Sequence, residues 1–254
     1  MILFHSDLDN TLIYSYKHDI GMSKKCVEIY QDREVSFMTT ESMDILKRIQ
    51  SKIIFVPTTT RTIEQYNRIQ MGIANPKYAL VCNGGILLNN GLKDSKWYEE
   101  SLDFAEHAKS EIEKSIQILK QDKNRYFEIR FIEQLFVFTK TSEPLKTIQT
   151  LRLKLDENKV DIFQNGEKVY VLPKELNKGR GILRLKKKLS AAKIIAAGDS
   201  AFDIPMLKAS DFGFCPKGLI TEINSNVLEY PREVFTVKML RKIESLLLNR
   251  NPDI

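Results

Sequence analysis

Five short segments of this chain are almost wholly apolar, and stretches with helical spacing lie between most of them. The segments are Ile2–Ser6, Lys52–Pro57 (KIIFVP), Tyr78–Cys82 (YALVC), Lys193–Ala197 (KIIAA) and Asp211–Cys215 (DFGFC). A strand covered on both faces has no polar face to show, so it reads as an unbroken apolar run, as in a buried parallel sheet. Thr40–Gln50, Thr62–Met71, Gly181–Leu189 and Phe235–Leu248 carry apolar residues at helical spacing, and Thr62 and Gln65 stand at capping-box distance. Parallel neighbours need long crossovers, usually helical. The alternation therefore predicts a doubly wound α/β domain.

One region breaks the alternation. Its pattern predicts helix Ser101–Lys120, strands Tyr126–Phe131 and Leu135–Lys140, helix Pro144–Leu155, then strands Lys159–Gln164 and Lys168–Leu172. Glu133-Gln134 and Asn165-Gly166 stand where hairpin turns belong. This αββαββ order predicts an inserted α+β unit with an antiparallel sheet. The expected boundaries are a core of residues 1–85 and 175–254 and an insert of residues 86–174. Cys26–Met38 reads as a small hairpin after the first strand.

Composition excludes some classes. With 254 residues and 43% hydrophobic side chains, the chain is long enough for a core and an insert. Thirty-nine Lys and Arg against 33 Asp and Glu leave +6, which suits an anionic ligand. No aromatic–basic alternation accompanies that charge, so nucleic acid is not an expected partner. No apolar run approaches ~18 residues, so no membrane helix is expected. The first residues lack a secretory pattern, and three cysteines without a CxxC pair suit reduced thiols. A cytoplasmic location follows as an expectation. Neither Cys82 nor Cys215 is followed six residues later by Arg, so the loop of a cysteine phosphatase is absent. His5, inside the first strand, reads as a core or edge histidine.

In an open α/β sheet, ligands bind beyond the carboxyl ends of the strands. Asp7 and Asp9 follow the first apolar segment, Thr58–Arg61 the second, and Gly198, Asp199, Ser200 and Asp203 follow KIIAA. Three carboxylates in one cleft, Asp7, Asp199 and Asp203, need a counter-charge, and oxygen ligands suit Mg²⁺. Lys178, the Thr59 hydroxyl and adjacent groups at Thr60 are placed to hold phosphate oxygens. Asp7 is then the expected nucleophile, through an aspartyl-phosphate, and Asp9 the acid and base. Arg61 either contacts substrate or pairs with a core carboxylate. Asn83 and Gly84 form either a hinge into the insert or a simple turn. Arg125, Arg130 and Lys168 are surface charges by default, with substrate contact as the alternative.

The segments DLDNT, VPTTTR, NKGRG and GDSAFDIPML, in this order, resemble the motifs of the haloacid dehalogenase (HAD) superfamily of phosphatases. The αββαββ insert resembles the type IIB cap of the Cof-like and sugar-phosphate phosphatases, and VCNGGILL resembles the segment leading into such caps. The resemblance implies a HAD-like core with an inserted cap, and Mg²⁺-dependent hydrolysis of a small phosphorylated metabolite. It implies a metal site of Asp7, the backbone carbonyl of Asp9, Asp199 and Asp203, with Thr59 and Lys178 on the phosphate. A phosphomutase of the same superfamily, or a weakly active regulatory protein on this fold, are the alternatives. Three letters depart from the common pattern: Asn10 for Gly, Thr60 for Gly and Phe202 for Asn.

Overall fold

The computed structural model describes residues 1–219 and 226–248. The chain forms two compact units. One joins Met1–Leu92 with the chain from Lys178 onward; the other is Lys93–Asn177.

The first unit is built on a five-stranded parallel sheet. Its order is Val227–Tyr230, Phe212–Pro216, Lys193–Ala197, Ile2–Ser6, Ile54–Pro57. Ile2 lies opposite Lys193 and Ser6 opposite Ala197, while on the other side Ser6 lies opposite Pro57. Leu3, Phe4, Ile194, Ile195, Ala196 and Ala197 are fully buried. That burial on both faces is why these strands carry no polar alternation.

Two strand expectations change. Tyr78–Val81 is not part of the parallel sheet; it pairs antiparallel with Ile86–Asn89 in a separate three-stranded sheet. An isolated bridge, Thr58 to Leu80, ties it to the parallel layer. An apolar run reports that both faces are covered, but not by which partner. The fifth parallel strand is instead Val227–Tyr230, at the end of the sheet order, where only Val227 is buried. The helix expected over Thr62–Met71 is shorter, Ile63–Asn67, and begins with the capping box of Thr62 and Gln65.

The helix Lys178–Leu189 starts three residues before the periodic stretch, and glycine explains how it fits. A Cβ at Gly179 would lie 2.3 Å from the carbonyl oxygen of Pro205, in the helix Ile204–Ala209. A Cβ at Gly181 would lie 3.2 Å from the Cα of Gly84. This close approach seats the first turn of the helix, and Lys178 with it, inside the unit. Gly179→Ala is expected to cost about 3 kcal/mol, because the clash is with backbone and relaxation must move a helix; a thermal melt reads it.

Beside the parallel sheet lies a hairpin, Lys24–Tyr30 against Arg33–Thr39, with Tyr14–Ser15 as its third strand. Its register shifts on either side of Glu28. The bulge buries both Val27 and Glu28, while Ile29 is 60% exposed.

The second unit is a four-stranded antiparallel sheet in the order Val160–Asn165, Lys168–Pro173, Phe136–Lys140, Arg130–Ile132. Helices Lys109–Lys120 and Pro144–Lys154 contribute Ile112, Leu119, Ile148 and Leu151 to a core shared with Val137, Val169 and Val171. The single helix expected over Ser101–Lys120 is two: Ser95–Glu106, capped by the Asp94 side chain, and Lys109–Lys120. The break falls at Ala108, which leaves helical geometry and is buried in that core, so tertiary packing rather than Gly or Pro sets it. The Arg125 guanidinium donates to the carbonyls of Leu119 and Phe127, and Arg130 pairs with Glu128. Among the described residues, no helix is long and apolar enough to cross a membrane.

Candidate active site

Three neighbouring strands end level at Ser6, Pro57 and Ala197, so the residues that follow them share one end of the sheet. The Asp7 N–H donates to the Ala197 carbonyl at 2.8 Å, and the Thr58 N–H to the Ser6 carbonyl at 2.8 Å. Both extend the ladder by one residue before the loops turn away. The Leu8 carbonyl then accepts from the N–H groups of Thr11, Leu12 and Ile13, and Asn10 takes a left-handed φ of 56°. Asn is among the side chains that best tolerate that conformation, so the position usually held by Gly keeps its turn.

Lys178 is the centre of the charge pattern. Its Nζ lies 2.6 Å from Asp7 Oδ1 and 2.6 Å from Asp203 Oδ1, and its side chain is 1% exposed. Burial works against its charge, but Asp203 and Asp7 outweigh it and raise the pKa. The other oxygen of Asp203 accepts from the N–H groups of Asp199 and Ser200 and from the Ser200 hydroxyl. Asp203 thus fixes the loop after Ala197 and the lysine together. Gly198 is needed there: a Cβ would lie 2.3 Å from the Cγ of Asp203. Phe202, in the short turn Ala201–Asp203, is 4% exposed and occupies interior space.

Asp7, Asp199 and Asp203 each present a carboxylate oxygen, all within 4.8 Å of one another. Burial raises the pKa of Asp7 well above the usual carboxylate range; Lys178 opposes this, and Asp203, Asp9 and Asp199 add to it. Burial first, then Asp203, lifts Asp199 to about 6. Arg232 reaches Asp199 at 3.2 Å but is more than half exposed, so it screens weakly. Three carboxylates against one buried ammonium leave a site short of positive charge, with oxygen donors of the kind a hard divalent cation takes.

The Thr-rich loop is placed alongside. Thr59 is fully buried, its hydroxyl accepts from the Arg61 N–H at 3.1 Å, and its N–H donates to the Leu80 carbonyl. Thr60 is partly buried. The Asn83 N–H donates to the Thr59 carbonyl, and Cys82 and Asn83 both have left-handed backbone, φ 51° and 59°. His5 Nδ1 lies 2.9 Å from the Thr58 hydroxyl, and burial lowers its pKa to about 3, so it is a neutral core histidine. Burial pushes the Cys215 thiol up to about 12, so it stays protonated.

Asp9 is not turned toward Lys178. Both its oxygens accept from Arg61, Oδ2 from Nε and Oδ1 from Nη2, each at 2.8 Å. Arg61 also grips Glu28, through Nη1 at 2.8 Å and Nη2 at 2.9 Å. Glu28 in turn accepts from the Ser36 hydroxyl and from Arg68. Arg61 therefore pairs with carboxylates. Glu28, Arg68 and Arg232 were not singled out by the sequence. The signal available for Glu28 was a lone acidic residue between Val27 and Ile29, which strand alternation alone would turn to solvent.

The sequence model of the haloacid dehalogenase-like hydrolases matches residues 92–217. That span holds Lys178, Asp199 and Asp203, while the loops of Asp7 and Thr59 bring the remaining motifs to them. Over that span, just under half of its length, the chain is similar to the haloacid dehalogenase-like hydrolases. Solved structures agree with the fold of this chain. The sucrose-phosphatase of Synechocystis sp. PCC6803, in complex with sucrose and phosphate, superposes with a TM-score of 0.65 at 17% identity, over 96% of this chain and 98% of that one. A haloacid dehalogenase-like hydrolase of B. subtilis gives 0.58 at 15% identity, over 95% and 99%. The trehalose-6-phosphate phosphatase of Aspergillus fumigatus gives 0.53 at 13%, over 96% and 92%. No curated protein matches the chain.

Proposed function

We propose that this chain is a Mg²⁺-dependent phosphomonoesterase acting on a small phosphorylated metabolite, a sugar phosphate by preference, through an aspartyl-phosphate on Asp7. The observation that carries it is the buried Asp7–Lys178–Asp203 arrangement beside Asp199. The carboxylate group fits a divalent cation by donor type and charge; Asp7, Asp199, Asp203 and the Asp9 carbonyl would hold it. Bound there, Mg²⁺ offsets the repulsion between an anionic phosphate and the nucleophile.

The chain's own groups then divide the work. An ammonium has three donors, and Lys178 directs two at carboxylates, so a phosphate oxygen takes the third. The Thr59 hydroxyl, which accepts from Arg61, keeps its own proton to donate to a second oxygen, with Thr60 beside it. An Asp7 oxygen attacks phosphorus in line, the bond to the leaving oxygen breaks, and that oxygen takes its electron pair and a proton from the Asp9 carboxyl. Water then attacks phosphorus and gives a proton to Asp9. The bond to Asp7 breaks and its electron pair returns to the carboxylate. Unit Lys93–Asn177 serves as a type IIB cap; Asn83 and Gly84 lie in the turn between the paired strands Tyr78–Val81 and Ile86–Asn89 of the first unit. The sugar-phosphate phosphatases among the structural neighbours support the substrate class.

Purified protein is expected to hydrolyse p-nitrophenyl phosphate with Mg²⁺ and to stop in EDTA. Mg²⁺ at about a hundred times its Kd is expected to add about 2.7 kcal/mol of stability, read as a rise in Tm. Equal turnover with and without chelator would sink the metal requirement. A screen of phosphorylated metabolites names the substrate.

A further inference from the structure

A carboxylate buried in a strand is costly unless it is paired and hydrogen-bonded. Glu28 is 3% exposed, and a bulge in the hairpin turns it inward while sending Ile29 out to solvent. A valine or leucine would fill that space more cheaply. What Glu28 gains by its position is one edge of the Arg61 guanidinium, whose other edge holds Asp9. Arg68 and Ser36 complete the hydrogen bonds of Glu28, so its carboxylate is fixed from three sides.

Exposure divides this chain of charges into a fixed half and a movable half. The side chains of Glu28 and Arg61 are 3% and 12% exposed; that of Asp9 is 46% exposed. A shielded bidentate pair persists, whereas a solvated one exchanges. Asp9 with both oxygens in the arginine fork has none turned to a reacting group. To give a proton to a leaving oxygen it must let go of at least one donor, and it returns to the same fork afterwards. The place it leaves from and returns to is set by Arg61, and Arg61 is set by Glu28.

We propose that Glu28 is a positioning residue for the acid/base step, acting through Arg61 to fix the resting place of Asp9. This rests on the phosphomonoesterase function proposed above. The step concerned is the departure of the leaving oxygen, which takes the electron pair of the breaking P–O bond and the proton of Asp9. An alkoxide needs that proton; p-nitrophenolate is stable without it. A residue that positions Asp9 therefore matters more for alkyl than for aryl phosphates. A residue that only holds the fold matters equally for both.

The test compares kcat/KM for an alkyl phosphate and p-nitrophenyl phosphate, which reports the first phosphoryl transfer, in Glu28→Gln. The expected result is a loss of about tenfold or more on the alkyl ester and under about threefold on the aryl ester, a part of the full acid contribution. Glu28→Asp, which keeps the charge, is expected to recover part of the alkyl activity. If Glu28→Gln does not fold, Ser36→Ala removes one donor from Glu28 and is expected to show the same split at smaller size. Equal losses on both esters, or none on the alkyl ester, overturn the role of Glu28. The wild-type protein and Asp7→Asn on the aryl ester test the phosphatase function separately: an inactive wild type overturns that function, whatever the Glu28 ratio.

Discussion

Asp7→Asn is expected to lower turnover of any phosphate ester by on the order of 10⁴-fold or more, the scale seen when a covalent nucleophile is removed. The amide keeps the shape of the carboxylate and still offers Lys178 an oxygen, so the fold survives. It loses the charged oxygen that attacks phosphorus in the proposed mechanism. Two measurements make the result specific: the melting temperature is to stay near that of the wild type, and acid-quenched protein is to retain no phosphoryl group. A variant that keeps near-normal rates would remove Asp7 from the chemistry and leave the site without its central role.

The second large effect is on stability. Lys178 is the single buried ammonium between Asp7 and Asp203. Lys178→Met is expected to cost roughly 3–5 kcal/mol at neutral pH, because removing one partner leaves buried carboxylates uncompensated. The sign of the pH dependence follows. Burial already holds the Asp7 carboxyl above its unfolded pKa, and Lys178 is the group that opposes this, so the shift grows without the ammonium. Such groups favour the folded state when protonated, and the benefit is lost as pH rises through the folded pKa. The variant is therefore expected to melt higher at about pH 5 than at about pH 8, and Mg²⁺ is expected to recover part of the loss. Calorimetry across that range measures both; a variant as stable as wild type at neutral pH would show that Lys178 does not compensate these charges.

What the sequence makes legible depends on whether a residue's neighbours are local. Ile2–Ser6 and Lys193–Ala197 are readable because burial on both faces erases any polar alternation. The positions of Asp7, Thr59, Asp199 and Asp203 are readable because each follows such a strand, whereas Lys178 opens a helix that the close approach at Gly179 and Gly181 seats. Tyr78–Val81 looks the same in sequence yet joins another sheet, since an apolar run carries no address. Val227–Tyr230, with one buried residue, gives no apolar run at all. The helix break at Ala108 has no Gly or Pro to announce it. Glu28 is the sharpest case: its role depends on a bulge and on Arg61, thirty-three positions away, and neither leaves a mark beside it.

The sheet register has a consequence for how the chain reaches its final form. Ile2–Ser6 has its partners on both sides supplied by later segments, and one of them, Lys193–Ala197, is synthesised only after the whole of Lys93–Asn177. The intervening unit has its own sheet and core, so it can fold on emergence from the ribosome. The first strands of the parallel sheet must wait, apolar and with unpaired edges, until the far half arrives. Long-range parallel pairing is slow for this reason, because loop closure precedes any reward in contacts. The vulnerable species during synthesis is thus the amino-terminal half holding Ile2–Ser6 and Ile54–Pro57, and aggregation during expression should track conditions that delay its closure rather than those that destabilise the inserted unit.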